Sequence, residues 1–434
     1  MMHGGADVGP ADVSALPRTR SSSAWQRAWR PFWVLPMAIV VASVLAGYLV
    51  PELDRLVGDE LPYVFPGGPS GARDMLGTIA GAMISVTGLV FSITMVVVQL
   101  ASSQYSPRVL GDFLSNRVTQ ATLGIFAASF TYALTVLRSV RGESGDGGAF
   151  VPQVSVTLGF VLVLASVGMF LAFIHHITRS IQVSSIVSHL GSATVDVVDG
   201  YYPEPTGLRA LPARDSWQPE GSLEARTVEA RQHGAIVEVD HRELVARAVD
   251  LDAVIEVLLP VGDFAAEGRP VLRIWHEPGL GALGEDALDA LRGLVVVEQD
   301  RIPGQDPALG VRKLIDIADR ALSPGINDPA TAVQVLDEVH RILRRAVTRA
   351  DLPALVRSGG VVRLVHRPQR VEQLIDLALA EPLHYGRGSL QVPRRIEAML
   401  DDLAQVALAA HRPAIARWRE RAQAVVAAQQ QPQP

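Results

Sequence analysis

Four polar residues stand at intervals of seven within one otherwise apolar stretch: Thr78, Ser85, Ser92 and Gln99. On a straight α-helix, residues seven apart lie on one face and drift by only ~20° per repeat, so the four form a stripe. Small residues crowd the neighbouring face: Gly77, Gly81 and Ser85, then Gly88 with Ser92. Such a stripe has two physical uses. Small side chains let another helix backbone approach closely, with hydroxyls hydrogen-bonding across the contact. Alternatively, several copies surround a water-filled path and line it with polar rings. Just beyond the stripe, Ala101 to Arg108 stays polar until Pro107 breaks the pattern. There Gln104 and Arg108 either line a mouth that attracts anions or, with Tyr105, anchor the helix end at the membrane interface.

A second constellation lies far along the chain, where Asp316, Asp319, Asn327 and Asp328 surround Ser323-Pro324-Gly325. Carboxylates and an amide at this density are candidate ligands for a divalent cation or a polar effector. Their spacing is not that of a twelve-residue EF-hand calcium loop. A purely structural reading is equally direct. One helix, from about Leu309, stops at Ser323-Pro324-Gly325. A second starts with Asp328 as N-cap and Pro329 at the first helical position, where a missing N–H costs nothing.

Other chemistry is poorly supplied. The chain has no cysteine, which excludes disulfides, thiolate nucleophiles and cysteine-based metal sites. Phosphate-loop, HExxH and GxSxG motifs are absent. His175 and His176 lack a third nearby ligand, and Asp401 with Asp402 reads as a solvated helix surface. Pro260-Val261-Gly262-Asp263-Phe264, continuing to Gly268, resembles the hairpin of lipoyl-type folds. The only lysine, Lys313, lies about 50 residues downstream, so a small β-barrel hairpin with glycine at positive φ is expected rather than a swinging-arm carrier. No catalytic residue, cofactor or metal site is expected, and the chain does not read as an enzyme.

The elements that must position these residues begin in lipid. Of 434 residues, 48% are hydrophobic and only 19% charged, below the ~25% of an average soluble domain. A bilayer needs about 20 apolar residues of helix. Four segments qualify: 32–50, 75–100, 121–137 and 154–174, the third the shortest. The first follows too long a polar lead, and is too long itself, for a signal peptide. None of the four contains an Asp, Glu, Lys, Arg or His, which favours passive conduction, or none, over proton-coupled transport. With the N-terminus inside, seven flanking arginines (Arg18, Arg20, Arg27, Arg30, Arg108, Arg117 and Arg179) face the cytoplasm. Four (Arg55, Arg73, Arg138 and Arg141) face out, so both termini are expected to be cytoplasmic.

After about His175 the chain changes character. Helical spacing continues to Val187, and a Pro/Gly-rich connection runs from Tyr202 to Gly221. Strand-like stretches follow at 234–239, 253–259, 271–275 and 294–297, then helices at 329–347 and within 391–427. The expected architecture is a four-helix transmembrane domain followed by an α+β cytoplasmic domain. Its boundaries are a mostly disordered segment 1–31, a membrane domain 32–187, a soluble domain 188–427 and a disordered tail 428–434. The net charge of −6 argues against nucleic acid as a partner, leaving the lipid bilayer, ions and further copies of the chain.

Two motifs together, Ser102-Ser103-Gln104-Tyr105-Ser106-Pro107-Arg108 and Arg320-Ala321-Leu322-Ser323-Pro324-Gly325-Ile326-Asn327-Asp328-Pro329-Ala330-Thr331-Ala332, are quite specific. They resemble the bacterial predicted membrane proteins grouped as domain of unknown function 2254, from about Pro31 to Ala409. Ala265 stands where such proteins usually carry a larger hydrophobe. The resemblance implies a bacterial membrane location and brings no catalytic residues. The sequence therefore leads to a homo-oligomeric channel of the bacterial cytoplasmic (inner) membrane, lined by its second helix and carrying a regulatory or assembly domain. The alternative is a non-conducting membrane anchor whose soluble domain senses a partner or small effector.

Overall fold

The computed structural model describes residues 16–17, 31–57, 65–104, 117–142, 149–180, 182–205, 217–219, 223–278, 284–302 and 304–430. Most of the N-terminal segment expected to be disordered, most of the expected connection after Tyr202, Arg108 and the last four residues lie outside them. The chain forms two compact units: Ser22–Ser185, and Ile186–Pro434 together with the segment around Leu16.

The first unit holds α1 (Val34–Val57), α2 (Pro69–Gln104), α3 (Arg117–Leu137) and α4 (Gln153–Ser180). All four are long and apolar enough to cross a membrane. The helices exceed the apolar runs because polar turns extend them: α1 runs on through Pro51, and α2 begins six residues before Met75. The third span reads as the weakest because α3 is the central helix, packed against α1, α2 and α4. Enclosed by protein rather than lipid, it tolerates buried Thr119, Thr122 and Ser129. Its close approach to α1 depends on glycine: a Cβ at Gly124 would lie 2.8 Å from Ile39 Cδ1 and 3.1 Å from Pro36 Cα. Hydroxyls knit the same contacts. Ser43 donates to the Ala128 carbonyl at 2.6 Å, and Ser129 and Ser166 lie 3.0 Å apart.

The expected continuation of the fourth span to Val187 is interrupted. Helix α4 ends at Ser180, and α5 (Val183–Tyr201) starts afresh after Gln182. Helix α5 packs within the second unit.

That unit is α+β. Its strands are β1 (Glu224–Glu229), β2 (Gly234–Val239), β3 (Val254–Val257), β4 (Phe264–Ala265), β5 (Pro270–His276), β6 (Val295–Glu298), β7 (Leu355–Ser358) and β8 (Val361–Val365). Five form a sheet in the order β1-β5-β3-β8-β7, antiparallel except for β3 with β8; three form a second sheet, β4-β2-β6. The turn expected to belong to a small barrel instead joins two sheets. Strands β3 and β5 pair as a hairpin, with Val254 opposite Trp275, and the loop between them carries β4 across to β2. Gly262 (φ +94°) and Gly268 (φ +77°) supply the left-handed turns. Alternating residues such as Ile255, Val257, Leu272 and Ile274 enter a shared apolar core with α6 (His241–Asp250) and α7 (Glu285–Arg292).

The helical layer comprises α8 (Pro307–Ala321), α9 (Pro329–Ala346), α10 (Val371–Tyr385), α11 (Gln391–Val406) and α12 (Arg412–Gln430). Helix α12 runs three residues into the segment expected to be a disordered tail. Helix α5 is fixed to this layer by Asp199, which accepts from Arg345 at 2.5 Å and Arg349 at 2.9 Å. Lys313 is buried on α8, far from the exposed turn position that a carrier lysine requires.

Candidate functional site

Helix α2 has one face spent on packing and one left open. Ala72, Leu76, Ile79, Met83, Val90 and Val97 are buried against neighbouring helices. Thr78, Ser85, Ser92 and Gln99 are all exposed, so the stripe is not a seam within the four-helix unit. Each hydroxyl turns back on its own helix: Thr78 donates to the Asp74 carbonyl at 2.7 Å, Ser85 to Gly81 at 3.0 Å and Ser92 to Gly88 at 2.9 Å. This satisfies the O–H donors in lipid and leaves oxygen lone pairs facing outward. The glycines make a contrast. A Cβ at Gly124 would strike its neighbour, whereas one at Gly77, Gly81 or Gly88 would meet nothing within 4 Å. Gln104 ends α2.

In the second unit, Arg312, Asp316 and Asp319 occupy one face of α8 at helical spacing. Arg312 bridges Asp316 at 3.0 Å and, from α10, Glu381 at 2.8 Å. Asp319 also hydrogen-bonds Glu381. Burial, followed by that bond and the charge of Glu381, raises Asp319 far above the usual carboxylate range. Glu381 is lowered, first by the hydrogen bond it accepts from Asp319 and then by Arg312. The two acids therefore share one proton, held on Asp319.

The following turn closes tightly. Ser323 donates through its hydroxyl to the Arg320 carbonyl at 2.7 Å, Asn327 takes a left-handed φ of +49°, and the Asp328 N–H reaches the Ala321 carbonyl at 2.7 Å. Asp328 caps α9, accepting from the Thr331 N–H at 3.1 Å and the Thr331 hydroxyl at 2.6 Å. Those two bonds hold its carboxyl below the ordinary aspartate range. The structure thus joins Asp316 and Asp319 in one cluster and gives Asp328 to helix capping. Sequence reasoning missed Glu381, which lies 62 residues from Asp319 and carries no local signal. It also missed a buried imidazole pair, His241 and His366, whose ring centres lie 4.7 Å apart. Among the described residues, no three His, Cys, Asp or Glu side chains gather as a metal site.

Four membrane-length helices joined to an α+β unit define an integral membrane protein. The chain belongs to the family described as predicted membrane protein (DUF2254), which matches residues 29–402. It is similar to the uncharacterized proteins Mb1321c of Mycobacterium bovis and Rv1290c of Mycobacterium tuberculosis, each 34% identical over 330 residues. The match takes in 75% of this chain and 62% of each mycobacterial protein, so the chain spans less than two thirds of those relatives' length. No solved structure matches.

Proposed function

We propose that the chain works as a homo-oligomeric channel of the bacterial cytoplasmic membrane, with α2 of each copy facing a common axis and both termini in the cytoplasm. One observation carries this reading: the small, hydroxyl-bearing face of α2 is turned away from its own unit, and among the described residues nothing fills it. In lipid there is no hydrophobic drive to pair helices, so a face cut back to Gly and Ser gains by letting another backbone approach. Lone pairs of Ser85 and Ser92 would then line the axis, where water and ions can use them. The soluble unit would assemble or regulate the pore, with no catalytic residue assigned.

The test is current across a planar bilayer holding the purified full-length protein, with Ser92→Leu as the paired variant. Discrete openings lost in Ser92→Leu, while the oligomer stays intact, support the pore. Silence from folded protein over a range of voltage and membrane tension rejects it. A second reading, a non-conducting anchor whose soluble unit senses a small effector, draws on the Asp319–Glu381 pair beside the Ser323–Asp328 turn. Silent bilayers together with an effector-induced rise in melting temperature, lost in Asp319→Asn, would favour it.

A further inference from the structure

Leu16 precedes the first membrane helix by eighteen positions, yet it is only 2% exposed and belongs to the apolar core of the soluble unit. Every other buried member of that core comes after the fourth membrane helix, from Val228 to Leu364. The contact is polar as well as apolar. Arg242, on α6, donates from Nη2 to the Leu16 carbonyl at 3.0 Å, and Pro17 is buried beside it. A terminal segment stays ordered only where something ties it down, and here the tie is one side chain plus one main-chain carbonyl. This pairing is how folded domains hold extended peptides: a pocket takes the side chain while a donor takes the backbone.

We propose that the soluble unit carries a peptide-docking socket whose resident ligand is the chain's own Leu16-Pro17 segment, gripped through the Leu16 side chain and by Arg242 at its carbonyl. The occupant is a strap. The sixteen residues between Pro17 and Val34 can reach at most about 55 Å when fully extended. Docking in cis requires the segment and the soluble unit to share one side of the membrane. An even number of spans meets that condition. Release of the strap would uncover apolar surface on the soluble unit for another extended peptide with a leucine-like side chain. The proposal does not depend on the pore reading, and its test reads no current.

The chain has no cysteine, so any introduced thiol is unique. In purified full-length protein, Leu16→Cys should react with a fluorescent maleimide about ten-fold or more slowly than Glu267→Cys, because reaction waits on local opening. Glu267 is exposed on the β4–β5 turn. Adding Arg242→Ala should speed labelling at Leu16→Cys and leave Glu267→Cys unchanged. Equal rates at the two thiols would overturn the proposal.

A fluorescein-labelled peptide of residues 10–22, followed by anisotropy, supplies the second arm. It should bind a full chain carrying Leu16→Asp or Leu16→Ala, whichever keeps the wild-type melting profile, and not the wild-type chain, whose socket is filled. Binding to neither chain, or equally to both, would also overturn it.

Discussion

Asp54 and Ser155 lie 101 residues apart and join the first membrane helix to the fourth. Asp54 Oδ2 accepts from the Ser155 N–H at 3.0 Å and from its hydroxyl at 2.5 Å, while Oδ1 accepts from the Val154 N–H at 2.9 Å. A carboxylate at the end of α1 thus caps the N-terminus of α4, satisfying N–H groups that have no partner within their own helix. Asp54→Ala should destabilise the membrane unit by about 1–2 kcal/mol, the usual loss for a helix cap. Ser155→Ala, which keeps both main-chain bonds, should cost less. Thermal unfolding in detergent measures the order of the two; equal effects would remove the cap from this account.

The two kinds of glycine in the membrane unit should behave oppositely. Gly124→Leu drives a side chain into Ile39 and Pro36 and should cost about 1–3 kcal/mol or prevent folding, as overpacking does. Gly81→Leu meets open space and should leave the monomer's melting profile within about 0.5 kcal/mol of wild type. If copies meet through α2, Gly81→Leu should lower the oligomer's native mass while leaving that fold intact. Native mass spectrometry in detergent reads both effects.

Much of this arrangement was legible because it is local. Asp328 as N-cap, Pro329 at the first helical position and the four spans follow from short-range patterns, and the structure bears them out. The heptad stripe could be placed on one face of α2, but not which face packs, since period alone leaves a helix's rotation toward its neighbours open. That Thr119, Thr122 and Ser129 belong to the most enclosed span also ran against their polarity, because only the fold reveals that α3 is screened from lipid. Arg312, Asp316 and Asp319 share a face by arithmetic, whereas Glu381 reaches them only through the packing of α10 on α8. Asp54 with Ser155, and His241 with His366, are likewise products of tertiary contact.

The shared proton has a pH signature. Burial, the hydrogen bond to Glu381 and its charge push Asp319 up to about 8, so the folded chain retains a proton that an unfolded aspartate releases near pH 4. This group's contribution is therefore greatest at low pH, declines as pH rises past about 4 and levels off above about 8. Asp319→Asn keeps an N–H donor for Glu381 but cannot ionise. It should flatten the fall in melting temperature between pH 6 and 9, as followed by circular dichroism of the full chain. An unchanged slope would reject the shared proton.

The imidazole pair acts in the opposite direction. His241 and His366 each hydrogen-bond a backbone carbonyl, of Val239 and Pro353 respectively. Burial lowers His241 to about 4; burial and then the neighbouring His241 lower His366 to about 3. Unfolded histidine titrates near 6.5, so the unfolded chain binds protons that the folded chain refuses. The stability these groups contribute is fully present above about pH 6.5 and is lost as pH falls toward 4 and then 3. Linkage puts the loss by pH 5 at about 2 kcal/mol for each histidine. His366→Gln, which cannot titrate, should remove roughly one such share from the difference between urea unfolding free energies at pH 7 and pH 5. If His366→Gln keeps the full acid dependence, the buried pair is not its source.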